Sequence, residues 1–76
     1  MPNNAAMKSL RLANMTASHQ STYYALSATV GRSLATVATA LGVTADTAEK
    51  LLSAVVDEGL ASRSVGTRDT ATYLAL

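Results

Sequence analysis

Residues 36–52, TVATALGVTADTAEKLL, predict the end of one short helix, a turn at Gly42 and the start of a second helix. Upstream of the turn, Ser33 is a good helix cap, because its hydroxyl can accept a hydrogen bond from a free backbone N–H. The apolar side chains that follow recur at helical spacing: Leu34, Val37, Ala38 and Leu41. Gly42 suits the left-handed conformation at which many helices stop. We therefore expect a helix that starts after Ser33 and stops at this glycine.

The helix after the turn is predicted to start at Ala45, to be capped by Thr44 and to run to about Glu58. Its inward stripe consists of apolar residues, namely Ala48, Leu51, Leu52 and Val55, with Val56 beside them. Asp46 lies in the first turn, where the helix dipole favours an acid, and Gly59 ends the helix. For both helices, the capping residue and the terminal glycine lie outside the ends of the apolar stripe.

An earlier helix is predicted over residues 19–29, with Ser18 as its cap. Its core stripe is Tyr23, Leu26 and Val30, and Gly31 closes it. Tyr24 points about 100° away from its neighbour Tyr23 on a helix, so one ring belongs to the core and the other is exposed. We expect Tyr24 to be available for contact with a second copy of the chain.

Beyond residue 59 the pattern changes to that of a β-hairpin. LASRSV (residues 60–65) and TATYLAL (residues 70–76) are separated by the turn sequence GTRD, and the second run alternates like a strand. We expect Leu74 and Leu76 to face the core. The predicted architecture is α+β and mostly helical, with three helices followed by a two-stranded C-terminal hairpin.

The chain of 76 residues has room for one domain, which we assign to residues 17–76. Residues 1–16 form an N-terminal arm, either a short helix over about residues 5–13 or a short strand around Leu10 and Leu12. A core of this size rarely nets more than about 3–5 kcal/mol, so self-association is expected to supplement it. The segment that holds Met7 and Leu10 is not needed by the three helices, and we expect these two residues to join Tyr24 in a homodimer contact.

The composition narrows the classes of function. The chain has no cysteine, one histidine (His19) and a net charge of +1, and it lacks a nucleophile motif or a glycine-rich phosphate loop. We therefore expect neither an enzyme nor a metal site, and we predict no cofactor and no small-molecule ligand. No apolar run approaches the roughly 20 residues that span a bilayer, so no membrane partner is expected and the default location is cytoplasmic.

A family resemblance rests on residues 34–76. A small residue, Ala38, stands four before Gly42, Val43 follows in the turn, Ala48 faces inward, and DEGLASR (residues 57–63) leads into the hairpin. This pattern resembles the winged helix-turn-helix domains of bacterial transcription regulators of the MarR and IclR types. The resemblance implies a three-helix core with a C-terminal hairpin wing, a third helix that lies in the major groove of DNA, and a wing that touches the DNA backbone.

The resemblance implies a DNA-binding set on the third helix and the wing: Thr44, Thr47, Lys50, Ser53, Arg63 and Arg68. Thr44 is a cap in any case, and alternatives stay open for the cations. Lys50 can instead pair with Asp46 at i, i+4, and Arg68 can pair with Asp69 or stay solvated. Glu49 departs from the family, since a carboxylate near phosphates is repulsive unless it accepts from a cytosine amine.

The function expected is sequence-specific or architectural binding of double-stranded DNA by a small homodimeric regulator, a repressor. The alternative is a winged-helix protein–protein interaction module without direct DNA binding. Acids on the third helix motivate this alternative, namely Asp46, Glu49, Asp57 and Glu58.

Overall fold

The computed structural model describes residues 13–76, which form three helices and a three-stranded antiparallel sheet. In chain order the elements are α1 (Ala17–Tyr24), β1 (Arg32–Ser33), α2 (Leu34–Leu41), α3 (Ala45–Asp57), β2 (Ala61–Arg63) and β3 (Thr72–Ala75). The N-terminal element predicted from the sequence, with Met7 and Leu10, falls outside the described residues.

The two helices around Gly42 confirm the prediction. Ser33 Oγ accepts from the backbone N–H of Thr36 at 3.2 Å and caps α2. Thr44 Oγ1 accepts from the N–H of Thr47 at 3.2 Å and caps α3. Gly42 has φ 69°, a left-handed conformation that side chains rarely adopt, so the glycine is needed where α2 stops. The predicted frame of helix, turn and helix is therefore present with its predicted caps.

Helix α1 starts earlier than predicted. It begins at Ala17 because Thr16 caps it, with Thr16 Oγ1 accepting from the N–H of His19 at 3.3 Å. Ser18, which we expected as the cap, lies inside the helix, and its carbonyl accepts from the hydroxyl of Thr22 at 2.8 Å. That bond satisfies the hydroxyl of Thr22, which is fully buried.

Helix α1 also stops earlier, at Tyr24 instead of residue 29. The carbonyl of Ser27 accepts from the N–H of Ala75 at 2.9 Å, which ties the chain to the end of the sheet. The hydroxyl of Ser27 accepts from the N–H groups of Thr29 and Val30, at 3.1 and 3.2 Å. These bonds replace helical ones, so the predicted place of Val30 in a helical core stripe is wrong, and this side chain is exposed.

The sheet has a third strand that the sequence did not reveal. Strand β1 pairs with β3, so the order is β1-β3-β2, and the predicted two-stranded arrangement is incomplete. Gly31, which we expected to close α1, instead precedes β1. A Cβ atom at Gly31 would lie 2.7 Å from Oγ1 and 2.9 Å from Cβ of Thr72, so only glycine lets the two strands approach here.

The hairpin of β2 and β3 is confirmed, but its buried face is the opposite of the predicted one. Ala71 and Tyr73 are buried, whereas Leu74 is half-buried and Leu76 is 54% exposed. The ring of Tyr73 packs into the main core between the helices, and strand alternation then turns Leu74 away from that core. The prediction that Leu74 and Leu76 face the core is therefore wrong.

The core has two parts. The main cluster joins α2, α3 and β3 through buried residues: Leu34, Val37, Ala38, Ala48, Leu52 and Tyr73. The second cluster, Val55, Leu60 and Ala61, lies where α3 gives way to β2. Leu26 and Val56 pack against both clusters, so the same core holds α3 and the hairpin in one orientation.

Candidate nucleic-acid interface

The start of α3 meets the hairpin loop, which we define as residues 64–71. The guanidinium of Arg68 in this loop pairs with the carboxylate of Asp46 and with that of Glu49, one turn along α3. We call these three residues the loop–helix clasp. It brings the two candidate DNA-contacting parts of the chain together on one side of the molecule.

Hydrogen bonds within the loop present Arg68. The N–H of Thr67 donates to the hydroxyl of Thr70 at 2.8 Å, and the N–H of Ala71 donates to the carbonyl of Thr67 at 2.9 Å. At the base of the loop, Ser64 and Thr72 bond to each other through backbone and side chain. The loop is thereby a closed turn that directs residue 68 toward α3.

The clasp combines a hydrogen bond with an ion pair. Asp46 accepts a hydrogen bond from Arg68, which is the main reason that the pKa of this guanidinium is raised above its ordinary value; the charges of Glu49 and Asp69 add to it, and desolvation opposes it. Oε2 of Glu49 is shielded from solvent and lies 2.6 Å from Nε of Arg68, outside hydrogen-bond geometry, so this contact is ionic. The structure therefore shows neither of the two alternatives considered for Arg68, which were a pair with Asp69 and a solvated, unpaired guanidinium.

Lys50 is exposed on α3. The predicted alternative, a pair with Asp46, does not form, because Asp46 is engaged by Arg68. Within residues 13–76, Lys50 has no ion-pair or hydrogen-bond partner. Its ammonium group is therefore available to an outside anion.

The hydroxyl groups at the start of α3 have different capacities. Thr44 Oγ1 accepts from the N–H of Thr47 and donates to Thr47 Oγ1 at 3.0 Å, so the cap uses both its donor and its acceptor. Thr47 keeps its own hydroxyl hydrogen for an outside acceptor. Ser53 is exposed further along the helix. Of these hydroxyls, those of Thr47 and Ser53 can still donate to a ligand, whereas the single hydrogen of the Thr44 hydroxyl is already used.

Two arginines lie on either side of Tyr73. Arg63 on β2 and Arg32 on β1 are both cross-strand partners of Tyr73, which places all three side chains on one face of the sheet. Arg63 donates from Nε to the hydroxyl of Tyr73 at 3.3 Å and from a terminal nitrogen to the carbonyl of Gly66 at 3.5 Å. Both arginines are exposed, and neither pairs with a carboxylate in the described part of the chain.

Sequence reasoning missed Arg32. A strand of two residues is too short to show an alternating pattern, and it runs directly into the cap of α2 at Ser33. The one signal that pointed to it is Gly31, whose lack of a side chain permits close approach to β3. Arg32 thereby joins Arg63 as a cation of the sheet face, and we call these two the sheet arginines.

The predicted dimer residue Tyr24 is 70% exposed at the end of α1. Its ring packs edge-on against that of Tyr23, with centroids 5.5 Å apart. The hydroxyl of Tyr23 donates to the carbonyl of Leu76 at 3.2 Å. Tyr24 and Leu76 therefore both contact Tyr23, and both have exposed side chains.

His19 lines an open cleft of about 340 Å³ together with Asn14, Met15 and Asp57. Over the residues that the structure describes, no group of three or more histidine, cysteine, aspartate or glutamate side chains is arranged to hold a metal ion. No helix between residues 13 and 76 is both long enough and apolar enough to cross a membrane.

Comparison of the chain with models of protein families, with curated proteins and with solved structures finds no match.

Proposed function

We propose that this protein is a small winged helix-turn-helix regulator that binds double-stranded DNA as a homodimer, without enzymatic activity, in the cytoplasm. The observation that carries the proposal is the capped pair α2 and α3 around Gly42, with the exposed start of α3 directly beside the hairpin loop. Three helices with a three-stranded antiparallel sheet are compatible with a winged helix.

In this proposal α3 lies in the major groove, where a helix fits and base edges are distinguishable. Lys50 reaches a phosphate or a guanine edge with an ammonium group that has no partner in residues 13–76. Thr47 donates its remaining hydroxyl hydrogen to a phosphate or base acceptor, and Ser53 contacts DNA further along the helix. Thr44 contributes by capping the first turn of α3 and by fixing the position of Thr47 through two hydrogen bonds.

The DNA backbone is held by arginines outside α3. Arg63 and Arg68 were the expected backbone contacts, and the sheet adds Arg32. Such contacts position a protein on the duplex and supply most of its salt-dependent affinity. Whether the protein acts as a repressor at one sequence or as an architectural protein depends on how far α3 reads base edges.

The homodimer part of the proposal is supported by Tyr24 and Leu76, which expose apolar surface and each contact Tyr23. A second copy would cover this surface and double the number of phosphate contacts. Sedimentation of the protein at micromolar concentration tests this part, and a monomer there contradicts it.

The decisive experiment is a titration against random-sequence duplex DNA at several salt concentrations. Log affinity is expected to fall with log salt by about 0.9 for each phosphate contacted, and Lys50→Ala is expected to flatten that slope. Thr39→Ala is the control, because Thr39 is exposed on α2 and is not one of the proposed DNA contacts. An unchanged slope in Lys50→Ala contradicts the assigned role of Lys50.

One observation favours the alternative, a winged-helix module that binds another protein. The clasp region holds three carboxylates, Asp46, Glu49 and Asp69, against two cations, Lys50 and Arg68. This is an unusual balance for a surface that approaches phosphates. Absence of duplex binding even at low salt decides in favour of the protein partner.

A further inference from the structure

The clasp joins two parts of the chain that are far apart in sequence, since Arg68 and Asp46 are 22 residues apart. Its side chains are also open to the outside: Arg68 is 47% exposed, Asp46 81% and Glu49 45%. A phosphate arriving from solvent can therefore reach the guanidinium. The contact holds a cation of the candidate interface without burying it.

Carboxylates and phosphates bind a guanidinium through the same N–H groups and with similar geometry. A phosphate that binds the two paired nitrogens of Arg68 must therefore displace Asp46 or Glu49, and one that uses the other N–H groups meets a charge already neutralised by both carboxylates. Once displaced, each carboxylate lies unpaired beside a polyanion, and this adds repulsion at short range. Lys50 faces no such competition, because it has no partner among the described residues.

We propose that the clasp is an autoinhibitory contact, in which Asp46 and Glu49 compete with DNA phosphate for Arg68. This inference rests on the proposed DNA binding and concerns its regulation. In the closed form the protein holds DNA through Lys50 and the sheet arginines, and Arg68 contributes only after the clasp opens. A complex that uses Arg68 is disfavoured, because only a fraction of the molecules has an open clasp.

The clasp makes a specific prediction about the salt dependence. In the closed form Arg68 contacts no phosphate, so the measured slope counts fewer phosphates than the cations around the interface suggest. Replacing both carboxylates by their amides, Asp46→Asn with Glu49→Gln, removes the competitor and keeps the size of both side chains. Arg68 is then free to bind a phosphate, and the slope increases in magnitude by about 0.9.

The test is a double-mutant cycle measured by titration of the full chain against duplex DNA at several salt concentrations. Arg68→Ala alone is expected to leave the slope of log affinity against log salt nearly unchanged. In the Asp46→Asn, Glu49→Gln background the same substitution is expected to reduce the magnitude of that slope by about 0.9. The double amide variant is expected to bind more tightly than the parent at low salt, because its complex gains a contact between Arg68 and a phosphate and loses two negative charges beside the DNA.

Asp57→Asn is the control for charge. Asp57 is exposed at the end of α3, outside the clasp, and its substitution also removes one negative charge. In this background Arg68→Ala is still expected to leave the slope nearly unchanged.

Two outcomes overturn the inference, and they differ. If Arg68→Ala decreases the magnitude of the slope equally in the parent and in the double amide variant, Arg68 already contacts phosphate in the parent complex, so the carboxylates do not withhold it from DNA and only the autoinhibition is wrong. If the parent and all variants fail to bind duplex DNA, the proposed function is wrong and the inference is lost with it.

Discussion

The three arginines between residues 13 and 76 fall into two groups with opposite electrostatic surroundings. Arg68 in the hairpin loop is paired with two carboxylates of α3. The sheet arginines, Arg32 and Arg63, flank Tyr73 and have no carboxylate partner in the described part of the chain. The difference teaches that the number of cations near an interface is a poor guide to the charge available for a ligand.

The partner of Arg63 makes the contrast sharper. The hydroxyl of Tyr73 is neutral, so it orients the guanidinium at 3.3 Å without cancelling its charge. Asp46 and Glu49 both orient and neutralise Arg68. We therefore expect the sheet arginines to provide more of the attraction to phosphate than the loop arginine, although the loop lies closer to the start of α3.

The largest effect is expected from the core that holds both groups in place. Leu52 is fully buried in the cluster that contains Tyr73, and Leu52→Ala is expected to lower the free energy of unfolding by about 2–5 kcal/mol. Denaturant unfolding measures this. Leu51→Ala is the neighbouring control at a half-buried position and should cost less. Equal losses in the two variants contradict the assignment of Leu52 to the centre of the core.

Replacing the sheet arginines tests the comparison directly. Arg32→Ala with Arg63→Ala is expected to decrease the salt slope of DNA binding by about 0.9 for each arginine that contacts one phosphate. Arg68→Ala, measured beside it, is expected to change the slope less because its guanidinium is already paired. The ranking is reversed, and the comparison fails, if Arg68→Ala has the larger effect.

The smallest effect is expected from removal of the Tyr73 hydroxyl, which is the neutral hydrogen-bond partner of Arg63. Tyr73→Phe keeps the buried ring and removes the hydroxyl that accepts from Arg63, so the expected loss in the free energy of unfolding is about 0.5–1.5 kcal/mol. Thermal or denaturant unfolding measures it. Tyr24→Phe is the control, since the exposed Tyr24 has no hydrogen-bond partner for its hydroxyl within residues 13–76, and its stability should not change.

The parts of the fold that were predictable are those with signals close together in the chain. Ser33, Gly42 and Thr44 act on backbone groups within a few residues of themselves, and α2 and α3 start and stop where these residues indicate. Exposure of Lys50 and Thr47 follows in the same way, because helical periodicity turns Ala48 and Leu52 inward. The exposed residues of α3 in the candidate site could therefore be predicted from the spacing of apolar residues alone.

Most of the errors come from contact between distant segments, whereas the wrong cap of α1 was a choice between two neighbouring hydroxyl residues, Thr16 and Ser18. Helix α1 stops early because the carbonyl of Ser27 is bound by the N–H of Ala75. Alternation in β3 predicts two faces but does not say which one meets the helices, and the answer came from the fit of the Tyr73 ring into the main core. Neither the early end of α1 nor the buried face of β3 can be predicted from the local sequence pattern.

The amino-acid sequence specified the capped helices, the left-handed turn at Gly42 and the cations exposed around them, because caps, glycines and periodicity act over a few residues. Folding in three dimensions selected which cations are available. It brought Arg68 into contact with Asp46, 22 residues away in the sequence, and with Glu49. It also placed Arg32 beside Tyr73 through a strand of two residues. The reason is physical: an ion pair or a strand pairing depends on where two segments meet, which local patterns do not encode.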